Sequence, residues 1–227
     1  MANLVSDQVG DSAADEVTEP ADRSAARWRG LSPLVVAILA GLLTLAIGFA
    51  AGVLVAQPDH PGHDSPEAGF ARDMSLHHSQ AVEMGMIAWQ KAALEETRTL
   101  GYDIALTQQA QIGIMRGWLD KWDLPRTSAG KPMQWMEHGE HMLQPDGRMP
   151  GMASEEQMEA LRNAEGEEVD RLFFELMITH HQAGVEMAEA VVKVTDDPEV
   201  KKLAQGMIDA QQYEIEVMQA LLAKVSA

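Results

Sequence analysis

The chain contains no cysteine. That excludes disulfides, thiolate metal sites, the C-x-x-C-H haem attachment and a lipidated N-terminal cysteine. Positive charge is scarce as well, with 17 Lys and Arg against 35 Asp and Glu, a formal net charge of −18. Such a chain repels nucleic acid and attracts cations in bulk. No E-x-x-H occurs anywhere, so a carboxylate-bridged di-iron centre lacks its usual ligands. The H-E-x-x-H zinc signature is absent, as are a Ser/His/Asp arrangement and a glycine-rich phosphate loop. These absences predict a binding protein and not an enzyme. No segment alternates with period two, which predicts no sheet and an all-α fold.

What the chain does have is 15 methionines and 8 histidines, every histidine in a close pair. The pairs are His60/His63, His77/His78, His138/His141 and His180/His181. Phe70 to Met84 reads FARDMSLHHSQAVEM, and Phe173 to Met187 reads FFELMITHHQAGVEM. With an offset of 103, residues 67–119 and 170–222 align without a gap and share 14 of 53 positions. An ungapped match of that kind predicts two copies of one supersecondary unit.

Each copy reads as a helical hairpin. Ser65-Pro66-Glu67 opens a helix expected to run to about Leu94, and a second is expected over Glu95–Lys121. In the second copy a helix is expected from Glu167 to Val194. Asp196-Asp197-Pro198 then starts a last helix ending near Lys224. Ser154-Glu155-Glu156-Gln157 is a capping box and predicts a short additional helix before Gly166. Two antiparallel hairpins with matching apolar stripes bury each other as a four-helix bundle.

Ahead of that bundle the sequence divides sharply. Residues 1–30 are polar and acidic and are expected to be a disordered tail. Residues 31–56 carry no charge and are long enough to span a bilayer as one transmembrane helix. Arg23, Arg27 and Arg29 precede it, which predicts a cytoplasmic N-terminus and an extracytoplasmic C-terminal domain. A cleaved signal peptide is the rival reading. The long tail, the length of the apolar run and the poor cleavage site Leu54-Val55-Ala56 favour an anchor. Residues 57–64 form a tether, and residues 65–227 the bundle domain, with a Met/His-rich connecting loop over 130–153.

The candidate site follows from helical spacing. At about 100° per residue, Met74, His77, His78 and Met84 share one stripe of a helix. Met177, His180, His181 and Met187 repeat it. Met115 and Met218 sit on the partner helices, with Gln111 and Glu214 one turn earlier, and either complete the sites or pack. Glu83 and Glu186 are expected either to support the histidines from across the bundle or to form surface ion pairs. Thioethers favour Cu(I), and imidazole suits copper as well as zinc. The connecting loop adds Met133, Met136, His138, His141, Met142, Met149 and Met152, a set that reads either as a capture arm for Cu(I) or Ag(I) or as a lid packed on the bundle. His60 and His63 lie in the tether and are the weakest candidates.

At these residues the chain resembles the bacterial family known as domain of unknown function 305, which carries F-x3-M-x2-H-H-x2-A-x2-M helices, usually twice. The resemblance covers about residues 67–222. It is most specific at Asp170-x-x-Phe173, Met177-Ile178-x-His180-His181, Met149-Pro150-Gly151-Met152 and Gln211-x-x-Glu214-Ile215-x-x-Met218. The first copy departs from it: Glu67 stands in place of Asp170, Ser75-Leu76 of Ile178-Thr179, and Gln111 of Glu214. The resemblance implies a ferritin-like four-helix bundle, exported or membrane-anchored, with copper or silver binding in some members.

Taken together, these residues predict a membrane-anchored extracytoplasmic protein that sequesters Cu(I), with Ag(I) a further ligand, or passes it to a copper-protein partner. No nucleic-acid partner is expected, and the sequence leaves the oligomeric state open. The rival is a helical interaction module in which the double histidines are structural.

Overall fold

The computed structural model describes residues 32–56 and 60–226. The expected disordered tail, 1–30, lies outside the described residues, as does the start of the tether. Among the described residues every element is a helix: α1 (Pro33–Ala56), α2 (Pro66–Lys91), α3 (Glu95–Lys121), α4 (Gly139–Met142), α5 (Glu155–Asn163), α6 (Glu167–Val194) and α7 (Pro198–Val225). No strand occurs among them, only one isolated bridge between Ala92 and Gly166.

α1 belongs to a separate unit of the chain. Its 24 residues extend about 36 Å at 1.5 Å each, more than a hydrocarbon core of about 30 Å. The span Pro33–Val53 has a mean hydropathy of 2.6 and carries no acid or base. By length and composition α1 is able to cross a membrane, either as an anchor or as a signal sequence.

The second unit is the bundle. Local chemistry starts its helices where expected. Ser65 Oγ accepts from the Ala68 N–H with Pro66 at the first helical position, and Asp197 caps α7 through the N–H groups of Glu199 and Val200. The capping box at Ser154 forms in both directions and opens α5. The end of α2 differs from expectation. It stops at Lys91, because Ala92 turns extended and the Asp170 carboxylate of α6 accepts from the N–H groups of Ala93 and Leu94. Gly166 N–H donates to the Lys91 carbonyl at 3.0 Å and closes the same corner. The corresponding corner of the other hairpin is braced by Glu67, whose Oε1 accepts from Thr195 Oγ1 at 2.7 Å. Each hairpin therefore carries an acid that pins the turn of the other.

α2 pairs with α3, α6 pairs with α7, and the hairpins join through α2 and α6. The α2–α3 contact is close at Gly85 and Gly101. A Cβ on Gly101 would lie 2.7 Å from the Gly85 carbonyl oxygen, and a Cβ on Gly85 would overlap that of Gly101. α2 and α6 run antiparallel, so two apolar clusters form at opposite ends of the bundle. One gathers Phe70, Met74, Met115, Trp118 and Leu119 with Met187, Val191, Val200 and Met207. The other gathers Met84, Ala88 and Ile104 with Phe173, Phe174, Met177, Met218 and Leu221. Each large side chain removed from water there contributes about 1.5–3 kcal/mol. His77 and His78 lie between Met74 and Met84 in the chain, and His180 and His181 between Met177 and Met187, so all four fall between the two clusters.

Candidate metal centre

The four helix-borne histidines are buried, with exposures of 0 to 1 %. His77 and His180 stack across the α2–α6 contact, ring centroids 3.7 Å apart and planes inclined by 29°. Every ring commits Nε2 to an oxygen. His77 Nε2 lies 3.3 Å from the Pro150 carbonyl, and His180 Nε2 lies 2.9 Å from the His77 carbonyl. His78 Nε2 lies 2.7 Å from Gln111 Oε1, and His181 Nε2 lies 2.8 Å from Glu214 Oε2. Each of these oxygens accepts, so the proton of each neutral ring resides on Nε2. All four Nδ1 atoms are buried without a hydrogen-bond partner.

That pattern has a chemical consequence. A neutral imidazole whose N–H is held by a carbonyl or carboxylate presents its other nitrogen as an oriented lone pair, the arrangement in which histidines bind metals. Burial favours the neutral ring at His77, His78 and His180. It pushes His77 down to about 4, helped by the charge His181 would carry, while the bond to Pro150 opposes the shift. It pushes His78 down to about 3, with His77 adding to the effect and Gln111 opposing it. His180 is held well below the ordinary histidine range, first by burial and then by its three histidine neighbours. At these three rings a soft cation meets ligands that need shed no proton.

The thioethers surround this layer. Met74, Met115 and Met187 lie in one apolar cluster, and Met84, Met177 and Met218 in the other, all at 0 to 1 % exposure. The two methionines of each predicted stripe are thus divided between opposite ends, and each end combines a stripe methionine of α2 with one of α6. Among the described residues no three His, Asp or Glu side chains converge on a point where they could hold an ion. The unpartnered donors of the interior include the four imidazole Nδ1 atoms, the thioethers and the amide oxygens of Gln108 and Gln211.

The connecting loop is docked rather than free. Asp73 on α2 accepts from the Met133 N–H at 2.7 Å and from Trp135 Nε1 at 2.9 Å. Burial raises the Asp73 carboxyl above its ordinary range, and those two bonds pull it back in part. Met133 and Met149 are buried, Met136, Met142 and Met152 are partly buried, and His138 and His141 are exposed with ring centroids 6.4 Å apart. The Met149-Pro150-Gly151-Met152 turn lies against α6. At φ +75°, a Cβ on Gly151 would stand 2.6 Å from Ala183 Cβ and 3.1 Å from His180 Cα. This close seat brings the Pro150 carbonyl to His77. Of the two places considered for Glu83 and Glu186, the surface is the one observed: Glu83 pairs with Arg162 at 2.8 Å, and Glu186 is exposed. His63 pairs with Asp64 at the surface.

Several site residues escape sequence reasoning. The Pro150 carbonyl is one, because backbone acceptors leave no mark in a sequence. Gln108 and Gln211 are others: both are buried, with amide atoms lacking partners. Their identity across the 103-residue offset is the signal that points to them.

The sequence profile of Domain of unknown function (DUF305) matches residues 67–222. The chain belongs to the DUF305 family. Two solved DUF305 structures are similar to it. One, from Streptomyces coelicolor and described as a candidate secreted protein, is 44 % identical over 73 % of this chain and 97 % of that one, with a TM-score of 0.67. The other, a fragment from Deinococcus radiodurans, is 31 % identical over 70 % and 96 %, with a TM-score of 0.58. CopM in its Cu(II)-bound form is 29 % identical over 70 % and 97 %, with a TM-score of 0.56. CopM is also similar in Cu(I)-bound and Ag-bound forms. No curated protein matches the chain. This DUF305 domain is therefore an all-helical bundle whose similar structures include a protein seen with copper and silver.

Proposed function

We propose that this protein is a copper-binding protein of the cell exterior, not an enzyme, which takes Cu(I) or Ag(I) into the interior of its bundle and stores it or passes it to a copper-protein partner. The observation that carries the reading is the set of four buried Nδ1 atoms without partners, each on a ring whose Nε2 is held by an oxygen. His77, His78, His180 and His181 supply nitrogen. Met74, Met115 and Met187 at one end, and Met84, Met177 and Met218 at the other, supply thioether sulfur suited to a soft monocation. His138 and His141, exposed on the Met/His loop, make a first landing point for the ion. α1 anchors the chain as a single pass, and the arginines before it keep the N-terminus inside. The similarity to CopM in copper- and silver-bound forms supports the choice of ion.

Anaerobic titration of the full-length chain in detergent against a chromophoric Cu(I) chelator tests this, with Ag(I) and Zn(II) in parallel. Tight Cu(I) and Ag(I) binding with weak Zn(II) binding is expected, and replacing the four histidines by alanine abolishes it. If none of the three ions binds, the histidines are structural and the protein is a helical interaction module.

A further inference from the structure

Positive charge is scarce in this chain, yet three arginines line one hollow in the bundle surface. Arg72 comes from α2, Arg116 from α3, and Arg126 from the segment after α3. The hollow measures about 540 Å³, within the range of small-molecule sites. Arg126 is already committed, its Nε and Nη2 reaching the two oxygens of Asp120 at 3.0 and 2.6 Å. Arg116 is exposed and makes no ion pair among the described residues. Arg72 is only 7 % exposed. Its Nε donates to the Pro125 carbonyl at 2.9 Å and its Nη1 to the His63 carbonyl at 2.8 Å, which fixes the plane of the guanidinium. Nη2 is buried and has no partner. A buried guanidinium nitrogen without an acceptor is costly to keep. Among the described residues the one acid lining the hollow is Asp73, whose Oδ2 already accepts from the Met133 N–H and the Trp135 indole. The wall also carries Pro132 and Leu76, a large apolar side chain that is 55 % exposed.

We propose that this hollow binds a small organic acid. Its carboxylate pairs with Arg72 and Arg116, and its apolar body covers Leu76 and Pro132. The planar fork of a guanidinium matches a carboxylate, and the bond is charge-assisted. The carboxylate supplies the acceptor that Nη2 lacks. The apolar wall selects an organic acid over an inorganic ion, because each methylene fully removed from water raises affinity about fourfold. The hollow contains none of the four buried histidines, so the site does not depend on the copper reading. Its rim includes Arg126 and Pro132, on the stretch that leads into the Met/His loop, so a bound acid would also tie the start of that loop to α2 and α3.

The experiment uses the metal-free, full-length chain in nonionic detergent and ligand-observed nuclear magnetic resonance. The probes are butyrate, acetate, the neutral isostere butyramide and inorganic phosphate. Butyrate should bind with a Kd of about 1 mM. Acetate should bind about 3- to 10-fold more weakly, and butyramide at least about 10-fold more weakly. R116Q should weaken butyrate about 10-fold with no change in melting temperature, since Arg116 is exposed and unpaired. L76S should bring butyrate down to the level of acetate and leave acetate unchanged. R72K keeps the charge and should also lose butyrate, but it breaks the bonds to Pro125 and His63, so R116Q and L76S carry the test if R72K unfolds. Absence of butyrate binding, equal binding of butyramide, or unchanged affinity in R116Q overturns the proposal. Phosphate that binds as tightly as butyrate overturns the assignment to an organic acid.

Discussion

Acid should unfold the metal-free bundle through its histidines. His77 and His78 are held near 4 and 3, and His180 is also strongly depressed, against an ordinary value of 6.5. A depressed value in the folded state means that the unfolded chain binds the proton first. The stability these rings contribute is fully present above about pH 6.5 and is lost as the pH falls towards their folded values. Each ring has a slope of about 1.4 kcal/mol per pH unit inside that window. Between about pH 7.5 and 4.5 His77 and His78 each lose about 2–3 kcal/mol, roughly 5 kcal/mol together, and His180 acts in the same direction. A domain is typically stable by about 5–15 kcal/mol, so a loss of this size removes a large part of the margin in this interval. Protonation of the acidic surface relieves repulsion and works in the opposite direction, so a variant is the proper reference. In urea unfolding of the full-length chain, followed by tryptophan fluorescence with chelator present, His78→Gln should flatten the pH slope by about 1.4 kcal/mol per unit. Stability that stays level from about pH 6.5 to 4.5, or equal slopes in both proteins, would refute the reasoning.

Four further perturbations separate ligation, seating and bracing. Met74→Leu with Met177→Leu conserves core volume and should cost less than about 1.5 kcal/mol per site, while Cu(I) affinity falls sharply. Thermal melting and chelator competition on one sample distinguish the two effects. Gly151→Ala places a side chain at φ +75° against Ala183 and Thr179, and should cost about 2–4 kcal/mol in urea unfolding. It should also weaken Cu(I) binding by displacing the Pro150 carbonyl from His77. Asp170→Ala strips the acceptor from the Ala93 and Leu94 N–H groups and should destabilise by about 1–3 kcal/mol. Glu67→Ala, which loses a single bond from Thr195, should cost about 1 kcal/mol in the same measurement.

The helices are legible in the sequence. The starts of α2, α5 and α7 depend on Ser65, Ser154 and Asp197 accepting from N–H groups two or three residues on, and such local bonds are written in adjacent residues. The sequence also determined which side chains are inside, because helical period places Met74, His77, His78 and Met84 on one stripe and the core takes that stripe. What it left open was everything that depends on how two stripes meet. The antiparallel crossing of α2 and α6 brings Met74 to the end that holds Met187 and stacks His77 on His180, and no spacing within one helix encodes that. The early end of α2 was set by Asp170, 78 residues beyond Ala92, and the proton position on His77 by the carbonyl of Pro150, 73 residues away. Long-range hydrogen bonds and the direction of helix crossing are properties of the packed chain. They decided that the four imidazoles keep Nε2 occupied and leave Nδ1 bare.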